Sequence, residues 1–312
     1  MTSFTHPEDV LQFLSDAQKS GIKTALVAVT ETVGGGLRAP GALMGVDENG
    51  AFAGYVSNGC VDADVVLNAQ QAIAEGTARQ LTYGAGSPFL DIRLPCGGRL
   101  SMIVVPNPDH ATINQACTLL AARKPIGLHV SASAVDLLET PGEETLWDGD
   151  ALTLRLVPKL RLRIAGRGEE LVALGKLAAA ADFSVAIQSP DDATLVRARA
   201  SGLTCETLTT PQSLTPLEDD EWTAFILMFH DQDWEIPLVK QTLQGPAFWL
   251  GAVGSHRTHQ VRCEALREAG ISKEGVRRLN GPIGLIPRTR DASMLAVSTL
   301  AEIAGCYKDL EA

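Results

Sequence analysis

Apolar residues in the first half of the chain recur at helical spacing and then in short, nearly continuous runs. Val10, Leu11, Phe13, Leu14 and Ala17 follow Pro7 along one helical face and stop at Gly21, which predicts a helix over 7–20. Residues 24–30 are largely apolar, as expected of an interior strand. Residues 42–46 and 51–56 read as a hairpin around Asp47-Glu48-Asn49-Gly50, where Asn-Gly supplies positive φ angles. Val61, Val65, Val66, Ala69 and Ile73 predict a second helix that ends at Gly76. Strands follow at 79–83, 99–105, 126–131 and 151–157, with a helix over 109–124 and a polar surface loop over 139–144.

From Lys159 onward strands and helices alternate. Residues 160–165 predict a strand, Leu171, Leu174, Leu177 and Ala181 mark a helix, and 183–188 predict a second strand, which together make a βαβ unit. Apolar strands are expected at 224–230 and 247–251, and a helix beginning near Ser255 is expected to bury Val261, Ala265, Leu266 and Ala269. A tight turn at 281–284 and an amphipathic helix over 294–304 close the chain. The fold class is therefore α/β: an N-terminal mixed α/β domain over 1–158, then a Rossmann-like doubly wound domain over 159–312.

Composition narrows the function classes. Twenty-six basic against 37 acidic residues give a net charge of −11 with no basic block, which argues against nucleic acid and anionic membranes as partners. No apolar run reaches transmembrane length and no leader segment is visible, so a cytoplasmic protein is expected. The six cysteines lack CxxC spacing and fit reduced thiols better than a disulfide framework.

Most free cysteines are buried packing residues. Cys117 and Cys263 lie among apolar helical positions, Cys205 follows a short loop and Cys306 ends a helix, so all four fit that role. Cys60, in Ser57-Asn58-Gly59-Cys60-Val61-Asp62-Ala63-Asp64, and Cys96, in Leu94-Pro95-Cys96-Gly97-Gly98-Arg99, stand instead in glycine-flanked turns. Ser57 or Asn58 is expected to cap the helix that follows Cys60, and Asp62 and Asp64 suit its positive end. A cysteine there favours the thiolate, which is both nucleophile and metal ligand, and Gly59 admits a close approach.

Three further segments carry candidate chemistry. The glycine-rich loop over 32–40 bears Arg38, but no Lys-Ser/Thr pair follows, so its phosphate signal is weak beside that of a plain flexible turn. Gly166-Arg167-Gly168 opens a dinucleotide fingerprint, yet Leu171 occupies the third glycine position and Ser189 stands where NAD sites want an acid. A Rossmann-like fold in which NAD(H) is no catalytic cofactor is expected. At the carboxyl ends of the next strands fall His230-Asp231 and Gly254-Ser255-His256-Arg257-Thr258-His259, the second offering a helix N-terminus as an anion seat.

Ser57-Asn58-Gly59-Cys60, Leu94-Pro95-Cys96-Gly97-Gly98, Leu250-Gly251-Ala252-Val253-Gly254-Ser255-His256-Arg257, Gly281-Pro282-Ile283-Gly284-Leu285 and Leu300-Ala301-Glu302-Ile303 together resemble the xanthine dehydrogenase accessory factor (XdhC/CoxI) family. The match spans both halves of the chain in order and spacing. The resemblance implies a chaperone rather than an enzyme: it binds the molybdenum cofactor (molybdopterin, with or without an attached nucleotide) as cargo and protects it during sulfuration. The cofactor then passes to xanthine dehydrogenase or a related molybdenum hydroxylase. A cysteine desulfurase partner is implied, and a homo-oligomer is compatible with it. Cys60 and Cys96 are the implied metal ligands, and Gly59, Arg38, Gly166, Gly168, His230, Ser255, His256 and Arg257 complete the candidate cofactor-binding set. Family members commonly carry an acid at the position of Ser189 and a second glycine at that of Asn58. An NAD(P)-dependent oxidoreductase and a nucleotide-binding scaffold without bound cofactor are the alternatives.

Overall fold

The computed structural model describes residues 6–34, 38–57, 59–84, 98–216, 218–289 and 291–311. The chain divides into two compact units, Met1–Pro158 and Lys159–Ala312.

The first unit runs α1 (Pro7–Lys19), β1 (Thr24–Val33), β2 (Leu43–Asp47), β3 (Phe52–Gly54), α2 (Asp62–Glu75), β4 (Arg79–Gly84), β5 (Arg99–Pro106), α3 (His110–Ala121), β6 (Ile126–Ser131), β7 (Val135–Leu138), β8 (Leu146–Trp147) and β9 (Ala151–Leu156). Its strands form a five-stranded sheet, β3-β2-β1-β5-β4, and a four-stranded sheet, β7-β6-β9-β8. All pairings within both are antiparallel. The period-2 geometry of β1 explains why residues 25–29 are all apolar. Ala25, Val27 and Val29 pack with Val61, Val65, Ala69 and Ile73 beneath α2. Leu26 and Ala28 pack with Leu11, Leu14, Ile113 and the apolar residues of β6 and β9 on the other face. A strand buried on both sides has no polar face to show.

The second unit runs β10 (Arg161–Gly166), α4 (Glu169–Ala180), β11 (Ser184–Ser189), α5 (Asp192–Ala200), β12 (Thr204–Thr207), β13 (Thr223–Met228), α6 (Gln232–Thr242), β14 (Trp249–Ala252), α7 (His256–Glu268), α8 (Lys273–Arg277), β15 (Leu279–Asn280) and α9 (Ala292–Glu311). Its sheet is parallel in the order β12-β11-β10-β13-β14-β15, which reverses direction at β10/β13. Leu171 and Leu174 of α4, Leu195 of α5 and Leu300 of α9 share one core with Leu162, Ile164 and Ile226. Trp234 and Leu238 of α6, Leu266 of α7 and Val276 of α8 share another with Phe225, Leu227 and Leu250. This is the doubly wound Rossmann arrangement expected from the alternating pattern.

Gly166 ends β10 against β13, where a Cβ would lie 2.6 Å from Met228 Cβ and overlap the Met228 carbonyl oxygen. Backbone cannot yield there as a side chain tip can. Gly166→Ala is expected to cost about 1–3 kcal/mol through overpacking, read as a lowered thermal midpoint; an unchanged midpoint would remove this packing role.

Two expectations are corrected. The buried face of α7 is Arg262, Cys263 and Leu266, while Val261 is 47% exposed and Ala269 is exposed. The face turns because Arg262 is drawn inward by Glu235 of α6, at 2.8 Å from Nε and 2.9 Å from Nη2. Cys306 lies inside α9 rather than at its end, while Cys205 stands in β12 just after the turn at 201–203, as expected.

Candidate functional site

The turn carrying Cys60 is built by Asp62. The Asp62 carboxylate accepts hydrogen bonds from Val56 N (3.2 Å), Ser57 N (2.9 Å), Ser57 Oγ (2.9 Å) and Gly59 N (3.1 Å). Ser57 Oγ in turn accepts from Val61 N at 3.1 Å. The N-cap of α2 is Val61, which has no side-chain cap, so the expected capping by Ser57 is replaced by a backward fold around Asp62. Asn58, the other expected cap, lies outside the described residues. Gly59 has φ +88° with open space where a Cβ would stand. Cys60, one residue before the cap, is exposed. The outcome is a short, pinned turn that holds a thiol toward solvent.

Asp62→Ala removes the acceptor of three backbone N–H groups. It is expected to speed hydrogen exchange at Ser57 and Gly59 by about tenfold or more, as loss of roughly 1.4 kcal/mol of local stability implies. Unchanged exchange would show that the turn holds without the carboxylate.

Behind this turn Asp64 accepts from Tyr83 Oη at 2.6 Å and from Asn68 Nδ2 at 3.1 Å, which ties α2 to β4. Burial, and then the Asp64 carboxylate, push the Tyr83 phenol well above its ordinary range, so it remains a donor. Arg38 lies against Tyr55, just ahead of the turn, with its guanidinium carbon 4.5 Å from the ring centroid. Thr32 Oγ1 donates to the Arg38 carbonyl at 2.8 Å. A Cβ on Gly34 would come within 3.1 Å of Gly98 Cα, so the glycine-rich loop leaves β1 beside the segment that enters β5. Cys96 lies outside the described residues, and among these no group of three or more His, Cys, Asp and Glu is placed to hold a metal ion.

In the second unit, Ser255 caps α7 by accepting from Thr258 N at 3.1 Å, and Ser255, His256 and Arg257 are all exposed on its first turn. His230 is exposed at the end of β13 and lines a recess of about 100 Å³ with Gln232, Glu235, Thr258, Val261 and Arg262. The structure thus brings His230 beside α7. His259 packs on Gly281, where a Cβ would lie 2.8 Å from its Cε1, and its Nε2 is 3.4 Å from Cys263 Sγ. Burial holds this imidazole below its usual pKa and pushes the thiol above its own, so both are neutral packing partners near pH 7. Cys117 is buried, and burial likewise pushes its thiol up, to about 11. Of the described cysteines, Cys60 alone is exposed.

Residues 17–84 match the XdhC and CoxI family, and residues 162–303 match the XdhC Rossmann domain. Over 296 residues the chain is 35% identical to the molybdenum cofactor insertion chaperone PaoD of Escherichia coli K12, covering 95% of this chain and 87% of that protein. The chain belongs to the XdhC/CoxI family. A second E. coli K12 protein, YqeB, is 27% identical over 154 residues, 46% of this family member and 26% of YqeB. A crystal structure described as a xanthine dehydrogenase from Bacillus halodurans shares the fold, with a TM-score of 0.77 at 18% identity over 96% of each chain. The resemblance read from the sequence motifs is borne out by these matches. Among the described residues of this XdhC/CoxI protein, no helix is long and apolar enough to cross a membrane.

Glu235 and Arg262 escaped the sequence reading, and Asp62 was read only as an acid at the helix start, not as the acceptor that folds back on the turn. For Asp62 a signal existed, since an acid five residues after Ser57 can fold back on the turn. Arg262 and Glu235 lie 27 positions apart and gave none.

Proposed function

We propose that this protein is a maturation factor that carries the molybdenum cofactor as cargo, supports its sulfuration and inserts it into xanthine dehydrogenase or a related molybdenum hydroxylase. The observation that carries the reading is the 35% identity, over 95% of the chain, to a molybdenum cofactor insertion chaperone. The exposed thiol of Cys60 supports it chemically, because thiolate is the soft ligand that suits a thiophilic metal or a sulfane sulfur. Cys60 meets the metal end of the cargo, with Cys96 as its second thiolate. Gly59 leaves room beside it, and Arg38 offers a cation to an anionic ligand. In the second unit the capped start of α7, with Ser255, His256 and Arg257 exposed and His230 beside it, is by itself an anion seat that suits a phosphate. A cysteine desulfurase supplies the sulfur.

Mixing the cofactor-loaded protein with a purified apo molybdenum hydroxylase tests this reading. Activity should appear only with the loaded protein, and should require a cysteine desulfurase with free cysteine when the cargo enters unsulfurated. Equal activation by free cofactor alone would remove the carrier role. Activation that is indifferent to the desulfurase would remove the sulfuration role and leave insertion standing.

A further inference from the structure

The β10–α4 turn is where a Rossmann fold ordinarily takes the phosphates of a dinucleotide, on backbone N–H groups at a helix N-terminus. Here the two donors of the turn that precedes α4 already have acceptors within the fold. Arg167 N points to Met228 O at 3.4 Å, and Gly168 N donates to Thr194 Oγ1 at 2.9 Å. Thr194, fully buried in α5, is itself clamped: its Oγ1 and N donate to Asp191 Oδ2 at 2.5 and 2.8 Å. These two bonds hold the Asp191 carboxyl below the usual carboxylate range, so the clamp is an ionised acceptor at neutral pH.

The ribose end is closed in the same manner. Ser189, fully buried at the end of β11, stands where a ribose-binding acid would project, and its Oγ accepts from Asp191 N at 3.1 Å. The mouth of the turn carries two carboxylates. Glu169 and Glu170 are exposed in the first turn of α4, on the positive end of its dipole, which they satisfy, and Glu169 pairs with Arg197 of α5 at 3.0 Å. Arg167 turns toward Phe229, 5.5 Å from the ring centroid. A glycine turn built to hold pyrophosphate would leave its N–H groups open and its rim free of carboxylates.

We infer that Thr194, clamped by Asp191, is the specificity-determining residue that closes this turn, so that the Rossmann unit excludes NAD(H) and other nucleoside diphosphates from the fold's usual seat. The inference stands apart from the maturation reading: a nucleotide carried by the cargo would sit elsewhere. It reassigns Gly166 to packing against β13 and Gly168 to the Thr194 bond.

The test titrates the full chain with NADH by fluorescence and with ADP by calorimetry. Wild type is expected to show no saturation up to about 1 mM of either. Thr194→Ala/Glu169→Gln/Glu170→Gln frees the Gly168 N–H and clears the rim, and should bind ADP at least about tenfold more tightly than wild type, a 1.4 kcal/mol change. Saturable micromolar NADH binding by wild type that Gly168→Ala abolishes overturns the inference. So does a folded triple variant that binds ADP no better than wild type. Should the triple variant fail to fold, Glu169→Gln/Glu170→Gln alters exposed side chains only. About threefold tighter ADP binding is then expected from the dipole and charge change, and no change counts against the closure.

Discussion

Cys60→Ser is expected to fold as wild type does and to lose at least roughly nine-tenths of the molybdenum that wild type retains on purification, a change of about 1.4 kcal/mol or more in holding free energy. Cys60 is exposed and makes no core contact, so the exchange of sulfur for oxygen costs the fold nothing measurable. The pinning of the turn runs through Asp62 and Ser57 and is untouched. What disappears is the soft donor, because a serine hydroxyl is not ionised at neutral pH and is a poor partner for a thiophilic metal or a sulfane sulfur. The same variant should fail to activate an apo molybdenum hydroxylase. Cys117→Ser is the control: Cys117 is buried in α3, and a hydroxyl there without a partner is expected to lower stability by about 1–3 kcal/mol while molybdenum per folded molecule stays constant. Wild-type molybdenum in Cys60→Ser, with full activation of the client, would make the cysteine a surface residue without a role.

Glu235→Ala should destabilise the second unit by about 3–5 kcal/mol, because it leaves the Arg262 guanidinium buried without its counter-charge. Arg262 is 2% and Glu235 4% exposed, and the pair joins α7 to α6 through two hydrogen bonds, with a third from Nη2 to Val253 O at 3.1 Å. Ala cannot replace the carboxylate as an acceptor. Glu235→Leu/Arg262→Met, which removes both charges and retains the volume, should cost much less than Glu235→Ala, since a buried pair contributes little net stability. Urea unfolding of the full chain separates the cases. Equal losses in the two variants would mean that packing, rather than the stranded charge, sets the cost.

How much of this was legible follows from what each element buries. β1 and α2 were readable because residues 25–29 of β1 and every buried position of α2 are apolar, at periods of 2 and 3.6. The β10–α4–β11 unit was readable for the same reason. α5 and α6 were not. α5 buries only Thr194, Leu195 and Ala198, too little for an apolar stripe, and the stripe of α6 through Trp234, Leu238 and Val239 is obscured by Pro237 and the charged Glu235. The short strands β7, β8, β12 and β15 span two to four residues, too few to establish a period. At the candidate site, cysteines in glycine turns could be singled out from the sequence. That Gly168 is already bonded to Thr194, and that Asp62 folds back on its own turn, needed coordinates, because a hydrogen-bond partner is not a matter of composition.

The carrier role at the centre of this account is tested most directly by measuring molybdenum and pterin in the wild-type protein isolated from a cell that makes the molybdenum cofactor. Both should co-purify with the folded chain in equal molar amounts, and both should fall together in Cys60→Ser. Protein that emerges fully folded with neither molybdenum nor pterin, from cells whose molybdenum hydroxylases are active, would contradict it.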